Sequence, residues 1–250
     1  MKSAILSLAL FCFGALAFGE PLDLNQPSTN SPYVVIFKGP SICDGCETPF
    51  VTMFQNKGYD VHLVKPGEST PGLLKNAAVY IVPGGDDITA LAQGWTASDR
   101  QAIRDYVKNG GRYYGACLGA YWAGKAGTWI GTIPGFEALE LIPATVLEAS
   151  VFDTRPQIVN IHWEGKSREA YFQDGPSFVI TDPSRILKIY ATYDFDHQVA
   201  AFLSQYGAGK VGISGVHIEA TPDWYQEDHL VAPVGLNVDL MNEIMSDLFR

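Results

Sequence analysis

The sequence predicts an α/β protein: a flavodoxin-like, mostly parallel sheet flanked by helices, with a strand-rich second half. In the first half, short apolar runs suited to strands buried on both faces alternate with helical stretches. Such β-α-β alternation calls for parallel strands with helices on both faces of the sheet. From about residue 138 to residue 216 the pattern changes to extended segments joined by turns.

The first half is predicted to contain four strands and two helices. The strands are residues 33–37, 59–64, 77–82 and 112–116. A helix through Val51 and Phe54 ends at Gly58, and a second helix is capped by Ser98 and ends at residues 109–111, Asn-Gly-Gly.

The second half is predicted to contain six extended segments and a closing helix. The segments are residues 139–148, 157–163, 177–180, 185–193, 199–204 and 210–214. Residues 207–209, Gly-Ala-Gly, are typical of a hairpin turn between the last two. In the closing helix, Leu240, Ile244, Met245 and Leu248 form one apolar face, which favours packing on the core.

Residues 1–19 are predicted to be a secretory signal peptide. Lys2 gives a positive start, residues 4–16 form an almost unbroken apolar run, and small residues offer cleavage before Phe18 or Glu20. A membrane anchor is the alternative, but the run is shorter than the ~20 residues that a spanning helix needs. A flexible leader, residues 20–32, and one domain, residues 33–250, follow, so we expect the mature protein to be secreted.

Composition limits the partners of the chain. The formal net charge is −10 at pH 7 and 47% of the residues are hydrophobic. These values argue against disorder, nucleic acid and anionic membranes. We expect a small-molecule or peptide-like substrate, and no pattern in the sequence calls for a cofactor or a metal.

Three cysteines remain after the loss of Cys12 with the signal peptide. Cys43 and Cys46 are close enough in sequence to form a local disulfide, which leaves Cys117 single. A redox-active Cys-x-x-Cys motif is the alternative for the pair. A zinc site is disfavoured because no second ligand pair stands at a suitable spacing. In an oxidising compartment the odd cysteine is either a reactive thiol or half of an intermolecular bridge.

Residues 115–119, Gly-Ala-Cys-Leu-Gly, have the form of a nucleophile elbow between a strand and a helix. A nucleophile there occupies a strained turn, and small neighbours admit both the turn and a substrate. The N-terminus of the following helix favours a thiolate on Cys117. The predicted strand before the elbow strand ends in Pro-Gly-Gly, so the bare amides of Gly84 and Gly85 can join the Leu118 amide in holding an oxyanion.

His217 and Glu219, just past the last predicted strand, are the candidate base and its orienting acid. Residues two apart on an extended chain project to the same side, so Glu219 can fix the His217 ring. His217 would then take the proton of the nucleophilic thiol. The triplet 162–164, His-Trp-Glu, repeats the pattern. His217 is favoured because it lies at the sheet edge where sites form in open α/β folds.

The order of these motifs resembles the class I glutamine amidotransferase fold with its Cys-His-Glu triad. Four segments more narrowly resemble the N-terminal domain of eukaryotic-type biotin-protein ligases, which also has secreted stand-alone relatives: residues 82–86, 115–121, 171–176 and 214–217. The resemblance implies a triad of Cys117, His217 and Glu219, the oxyanion residues named above, and a substrate pocket that includes Asp86 and Tyr121.

The chain also departs from that family. Tyr121 stands where glutamine-using amidotransferases usually have Gln, and nothing resembles a synthetase domain or the biotin-transferring half of the ligases. The first expected function is a secreted cysteine hydrolase or amidase that cleaves a small amide or peptide-like substrate, γ-glutamyl amides included, through a thioester. The alternative is an inactive module of the same fold that binds a small ligand among Tyr114, Tyr121 and Trp122.

Overall fold

One mixed sheet organises the protein. The computed structural model describes residues 31–85, 95–125, 137–148 and 154–250, and the strands within these ranges form a single eleven-stranded sheet. The predicted signal peptide, most of the predicted leader and Asp86 lie outside the described residues. The strands are β1 (Tyr33–Phe37), β2 (Asp60–Val64), β3 (Tyr80–Val82), β4 (Arg112–Ala116), β5 (Ala144–Glu148), β6 (Gln157–Trp163), β7 (Lys166–Phe172), β8 (Pro176–Ile180), β9 (Ile186–Tyr193), β10 (Val199–Tyr206) and β11 (Gly209–Ser214).

Helices cover both faces of this sheet. They are α1 (Thr48–Asn56), α2 (Pro71–Leu74), α3 (Ala97–Lys108), α4 (Leu118–Trp122), α5 (Pro222–Glu227) and α6 (Val238–Phe249). No helix of the described ranges is long and apolar enough to cross a membrane.

The strand order divides the sheet into a parallel half and an antiparallel half. The order is β2-β1-β3-β4-β11-β10-β9-β6-β7, with β5 paired to β8 off this path. The pairs from β2 to β11 are parallel, as in the flavodoxin-like arrangement. The pairs from β11 to β7 are antiparallel. The predicted α/β class is confirmed, and the strand-rich second half supplies the antiparallel strands.

Two apolar layers, one on each face, explain the uninterrupted apolar character of β1. Val35 and Phe37 pack into one layer, whereas Val34 and Ile36 pack into the other. Residues alternate between the faces of a strand, so a strand covered on both faces must be apolar throughout. Helices α3 and α4 contribute to the first layer, and α1 and α6 contribute to the second.

Helix α3 begins earlier than predicted. Its N-cap is Thr96, and Ser98 lies within the first turn. The Thr96 hydroxyl accepts from the Asp99 amide at 3.1 Å, and the Asp99 carboxylate accepts from the Thr96 amide at 3.0 Å. This reciprocal capping box satisfies two free amides at once, which a single cap at Ser98 would not do.

Strand β7 was not predicted. Its first half, Lys166–Glu169, is polar and mostly exposed, so it lacks the apolar alternation that marks a strand. The turn before it did carry a signal. Glu164 and Gly165 have φ angles of 47° and 79°, which suits the two-residue turn of a tight hairpin. The strand matters for function because it leads directly into a wall of the candidate site.

Candidate active site

Cys117 occupies a strained corner at the end of β4. Its φ and ψ angles are 48° and −104°, a conformation that non-glycine residues rarely adopt. The Cys117 amide donates to the Ser214 carbonyl of β11 at 2.9 Å, and its carbonyl accepts from the amides of Ala120 and Tyr121. The corner is therefore fixed from both sides, and it holds the thiol at the carboxyl edge of the parallel strands.

The two glycines of the elbow are required by close packing. A Cβ atom on Gly115 would lie 2.5 Å from the Gly119 carbonyl carbon, and one on Gly119 would collide with the Val82 carbonyl oxygen of β3. Larger residues at either position would push helix α4 away from the sheet. The structure thus supplies the physical reason for the Gly-x-Cys-x-Gly spacing.

His217 and Glu219 form a buried pair at the end of β11. His217 Nδ1 lies 2.8 Å from Glu219 Oε1, and the two residues are only 4% and 8% exposed. The predicted extended geometry is wrong, because the chain turns here. The Ile218 amide bonds the Val216 carbonyl at 3.2 Å, and the Ala220 amide bonds the His217 carbonyl at 3.3 Å. The turn, rather than strand alternation, brings the carboxylate to the ring.

The His217 ring is held between aromatic side chains and a bare backbone. Tyr171 and Trp224 contact it edge-on, with ring centroids 5.7 Å and 5.2 Å away. The His217 amide also donates to the Tyr171 carbonyl at 2.9 Å. A Cβ atom on Gly84 would lie 2.6 Å from His217 Cε1. Gly84, expected to donate to an oxyanion, thus makes room for the imidazole.

Electrostatics favour a protonated His217. Burial alone would lower the pKa of His217, but the Glu219 carboxylate, the Cys117 sulfur and hydrogen bonds to both raise that pKa to about 10. Within the described residues, the second oxygen of Glu219 has no hydrogen-bond partner. A buried carboxylate with an unpaired oxygen needs a cation beside it, and a protonated His217 ring is that cation for Glu219.

Cys117 lines an open cleft of about 560 Å³. Cys117 is 5% exposed, and the Gln173 carbonyl oxygen lies 3.7 Å from its sulfur as a weak acceptor. The described residues that line the cleft are Cys43, Asp44, Cys46, Gly85, Cys117, Leu118, Tyr121, Thr154, Tyr171, Gln173, Asp174, His217, Trp224, Glu227 and Asp228. The thiol and the imidazole therefore face one shared space.

Several predicted site residues meet in this cleft. Leu118, Gly85 and Tyr121 line it, and the Tyr121 hydroxyl donates to the Asp174 carbonyl at 3.1 Å. Among the described residues, the Leu118 amide donates to no backbone carbonyl outside the regular elements, and Leu118 lines the cleft. The predicted Cys43–Cys46 disulfide is present and forms part of the wall.

Two aromatic residues expected in a ligand pocket, and the histidine that was the weaker candidate base, lie outside this cleft. Tyr114 and Trp122 do not line the cleft, because their side chains are fully buried in the two apolar layers. His162 lies on β6, where its ring bonds the exposed Asp194 carboxylate at 2.7 Å. In the ranges that the structure covers, no group of three or more His, Cys, Asp or Glu residues could hold a metal ion.

Sequence reasoning missed the aromatic and acidic walls of the cleft. Tyr171 comes from the unpredicted β7, and Trp224 comes from the short, unpredicted α5. The Tyr171 hydroxyl donates to Asp228 Oδ2 at 2.5 Å, which joins these two walls. Residues 171–176 stood out as a motif but received no role. The Thr-Pro that opens α5 was a usable signal, since Pro is favoured in the first turn of a helix.

Replacing Gly84 with Ala is expected to displace the His217 ring. The added methyl group would lie 2.6 Å from His217 Cε1, and the imidazole also contacts the rings of Tyr171 and Trp224. We expect Cys117 to react more slowly with iodoacetamide while far-UV circular dichroism stays unchanged. Gly72→Ala is the matched control, because its Cβ would meet no atom closer than 4.0 Å. An unchanged rate in Gly84→Ala would contradict this packing role.

Comparison with known proteins agrees with this architecture. Residues 34–138 match the family described as biotin-protein ligase, N terminal. The biotin–protein ligase of Schizosaccharomyces pombe is 28% identical over 170 residues, covering 58% of this chain and 26% of the ligase. The chain thus spans about a quarter of the length of that relative. The family match includes the elbow but ends before His217 and Glu219.

Two solved structures share the fold at low identity. A glutamine amidotransferase has a TM-score of 0.56 and 20% identity, covering 78% of this chain and 96% of the other. PurLQS from Thermotoga maritima has a TM-score of 0.54 and 15% identity, covering 76% and 89%. At such identities the likeness concerns the fold alone.

Proposed function

We propose that this chain is a secreted cysteine amide hydrolase. It has the class I glutamine amidotransferase-like fold and resembles the N-terminal domain of biotin-protein ligases. Cys117 is the nucleophile, His217 is the acid and base, and Glu219 orients His217. The observation that carries the proposal is that His217, held by the buried Glu219, lines the same cleft as the strained Cys117 corner. The substrate is a small amide or a peptide-like molecule.

In the acylation step, the Cys117 thiolate attacks the carbonyl carbon of the amide. The carbonyl oxygen gains the negative charge and lies against the Leu118 amide, with Gly85 at the neighbouring strand end. His217, which holds a proton because its pKa is raised, gives that proton to the leaving nitrogen. The C–N bond then breaks, and a thioester on Cys117 remains.

In the deacylation step, water attacks the thioester. His217, now neutral, takes a proton from that water, and Glu219 stabilises the imidazolium that forms again. The C–S bond breaks, the carboxylic acid product leaves, and Cys117 returns as a thiolate beside the imidazolium. Every group in this cycle belongs to the chain, to the substrate or to the attacking water.

Hydrolysis of a small panel of p-nitroanilides tests this function. The panel contains γ-glutamyl, N-acetyl-alanyl and N-acetyl-lysyl anilides, and the mature protein is compared with Cys117→Ala. Release of p-nitroaniline by the wild type alone, with an acyl adduct on Cys117 in the intact mass, is the expected result. Equal release by both proteins would overturn the proposal.

A binding module on the same fold is the second candidate. The observation in its favour is that Tyr121, Tyr171 and Trp224 give the cleft an aromatic lining suited to holding a ligand. Such a module would bind an anilide of the panel without turnover, and Cys117→Ser would leave its affinity unchanged. Isothermal titration of both proteins distinguishes the two functions.

Glu219→Gln is expected to lower the pKa of His217. The Glu219 charge is the largest of the effects that raise the pKa of His217 to about 10. Without that charge, the pKa of His217 should fall by roughly one to three pH units. Because the proton on His217 protonates the leaving amine, the alkaline fall in hydrolysis should move to lower pH by the same amount.

An NMR titration of the His217 ring measures this shift directly. Asp194→Asn is the matched control, since it removes the carboxylate partner of His162 on the exposed face of β6. It should leave His217 unchanged. A pKa of His217 that is the same in Glu219→Gln and in the wild type would show that the carboxylate does not act on the ring.

Export is part of the proposal. It is supported by the apolar run at residues 4–16 and by the Cys43–Cys46 disulfide, a bond that persists in oxidising compartments. Expression of the whole sequence in a secreting host should give a protein in the medium whose N-terminus begins near residue 18 or 20. Retention of residues 1–17 on the secreted protein, or no secretion, would contradict it.

A further inference from the structure

The walls of the cleft around Cys117 carry an excess of negative charge. Four carboxylate side chains line it: Asp44, Asp174, Glu227 and Asp228. No Lys or Arg stands among the described lining residues. Low-dielectric walls lined by charges of one sign concentrate the field within a cleft and attract ligands of opposite charge.

These four carboxylates have no cationic side chain paired to them in the part of the chain that the structure describes. In the described residues, none of the four forms an ion pair with Lys, Arg or His. Burial, and after it the negative charge of Glu148, raises the pKa of Asp174. The internal stretches outside the described ranges, residues 86–94, 126–136 and 149–153, contain no Lys or Arg in their sequence.

Two aromatic rings in the same cleft are a separate feature that suits a cation. Tyr171 and Trp224 both line the cleft and stand nearly perpendicular, with centroids 5.5 Å apart. Tyr171 is only 3% exposed, so the partly exposed Trp224 is the ring that a ligand can reach, and Trp attracts ammonium and guanidinium groups best among the aromatic residues. The Tyr171 hydroxyl also fixes Asp228 beside them, so ring and carboxylate can act on one ligand group.

We propose that this cleft selects cationic substrates: amides or short peptides that carry a Lys, Arg or other amine group near the cleaved bond. This inference rests on the proposed function in taking Cys117 as the nucleophile, and it names the substrate class of that site. An anionic substrate would meet four carboxylates. A γ-glutamyl amide carries an α-carboxylate beside its α-ammonium group and has no net positive charge, so it is disfavoured relative to an N-acetyl-lysyl amide, whose only charge is its side-chain ammonium.

Alkylation of Cys117 by charged reagents tests the inference independently of turnover. Two iodoacetamides of matched size are used, one with a trimethylammonium tail and one with a sulfonate tail. The rate of the trimethylammonium reagent at Cys117 is divided by the rate of the sulfonate reagent. This ratio is then divided by the same ratio for N-acetylcysteine amide. Activation of the thiolate speeds both reagents equally and therefore cancels. We expect a normalised ratio of roughly tenfold or more at about 20 mM salt, falling towards one at about 500 mM.

Charge variants identify the source of the preference. Asp174→Asn combined with Glu227→Gln should reduce the normalised ratio several-fold, whereas Asp60→Asn combined with Asp105→Asn, an equal loss of exposed charge away from the cleft, should not. A ratio near one in the wild type overturns the inference. If both reagents nevertheless alkylate Cys117 faster than they alkylate N-acetylcysteine amide, the thiol is activated and the proposed function stands. If neither reagent alkylates Cys117 faster than N-acetylcysteine amide, the proposed activation of the thiol fails. The normalised ratio still measures charge selection in that case.

Discussion

Replacing His217 with Ala is expected to lower amide hydrolysis by about 10²- to 10⁴-fold, the usual contribution of a positioned acid and base. The variant loses the proton donor for the leaving amine and the imidazolium beside the sulfur. It also leaves the Glu219 carboxylate buried with neither oxygen paired to the ring. We therefore expect a loss of thermal stability as well, which far-UV circular dichroism and a melting curve will register separately from activity.

His162→Ala is the matched control for this prediction. His162 belongs to the second His-x-Glu triplet of the chain, but it lies on β6 and bonds Asp194 at an exposed surface. Initial rates with the p-nitroanilide panel should be unchanged in this variant. A loss of hydrolysis in His162→Ala, with His217→Ala still active, would reverse the assignment of the base.

Gly119→Ala is expected to have the second largest effect, because it acts on the corner that holds the nucleophile. The added Cβ would collide with the Val82 carbonyl oxygen of β3, a backbone atom that cannot turn aside. Helix α4 must then move away from the sheet. We expect the free energy of unfolding to fall by about 1–3 kcal/mol, the usual penalty of overpacking, and the reactivity of Cys117 to fall with it.

Urea unfolding measures this change, with Gly72→Ala as the control because that glycine also lies in a helix but has open space around it. The control should be neutral or slightly stabilising, since Ala is favoured over Gly in helices. If Gly119→Ala unfolds at the same urea concentration as the wild type, with an unchanged denaturant slope, the elbow does not need the close approach to β3.

The sequence allowed prediction of the parts of the fold that depend on local patterns. Strand β4 occupies the predicted residues because its apolar run ends at glycines with a definite packing role. His217 could be singled out as the candidate base because it follows a buried strand at the edge of the sheet where sites form. By contrast, the turn that brings Glu219 to the ring depends on backbone hydrogen bonds around Ile218, which no periodicity reveals.

The walls of the cleft were beyond local patterns for a different reason. Strand β7 begins with polar, exposed residues, and helix α5 is only six residues long. Neither segment therefore has the apolar repeat that indicates a strand or a helix. Tyr171 and Trp224 meet at His217 only because distant segments fold together, as the bridge between Tyr171 and His217 records. The sequence therefore indicated the candidate nucleophile, its candidate base and Tyr121 of the cleft, but it did not indicate the walls that Tyr171 and Trp224 form.

The most direct test of the central claim, that His217 activates the Cys117 thiol, is alkylation with iodoacetamide near pH 6.5, below the ~8.5 pKa of a free thiol. The site occupied is identified by peptide mass mapping, and Cys117→Ala supplies the background. We predict that Cys117 reacts faster than free cysteine and that His217→Ala reduces its rate to that of free cysteine or below. A Cys117 that reacts no faster than free cysteine in either protein would contradict the claim.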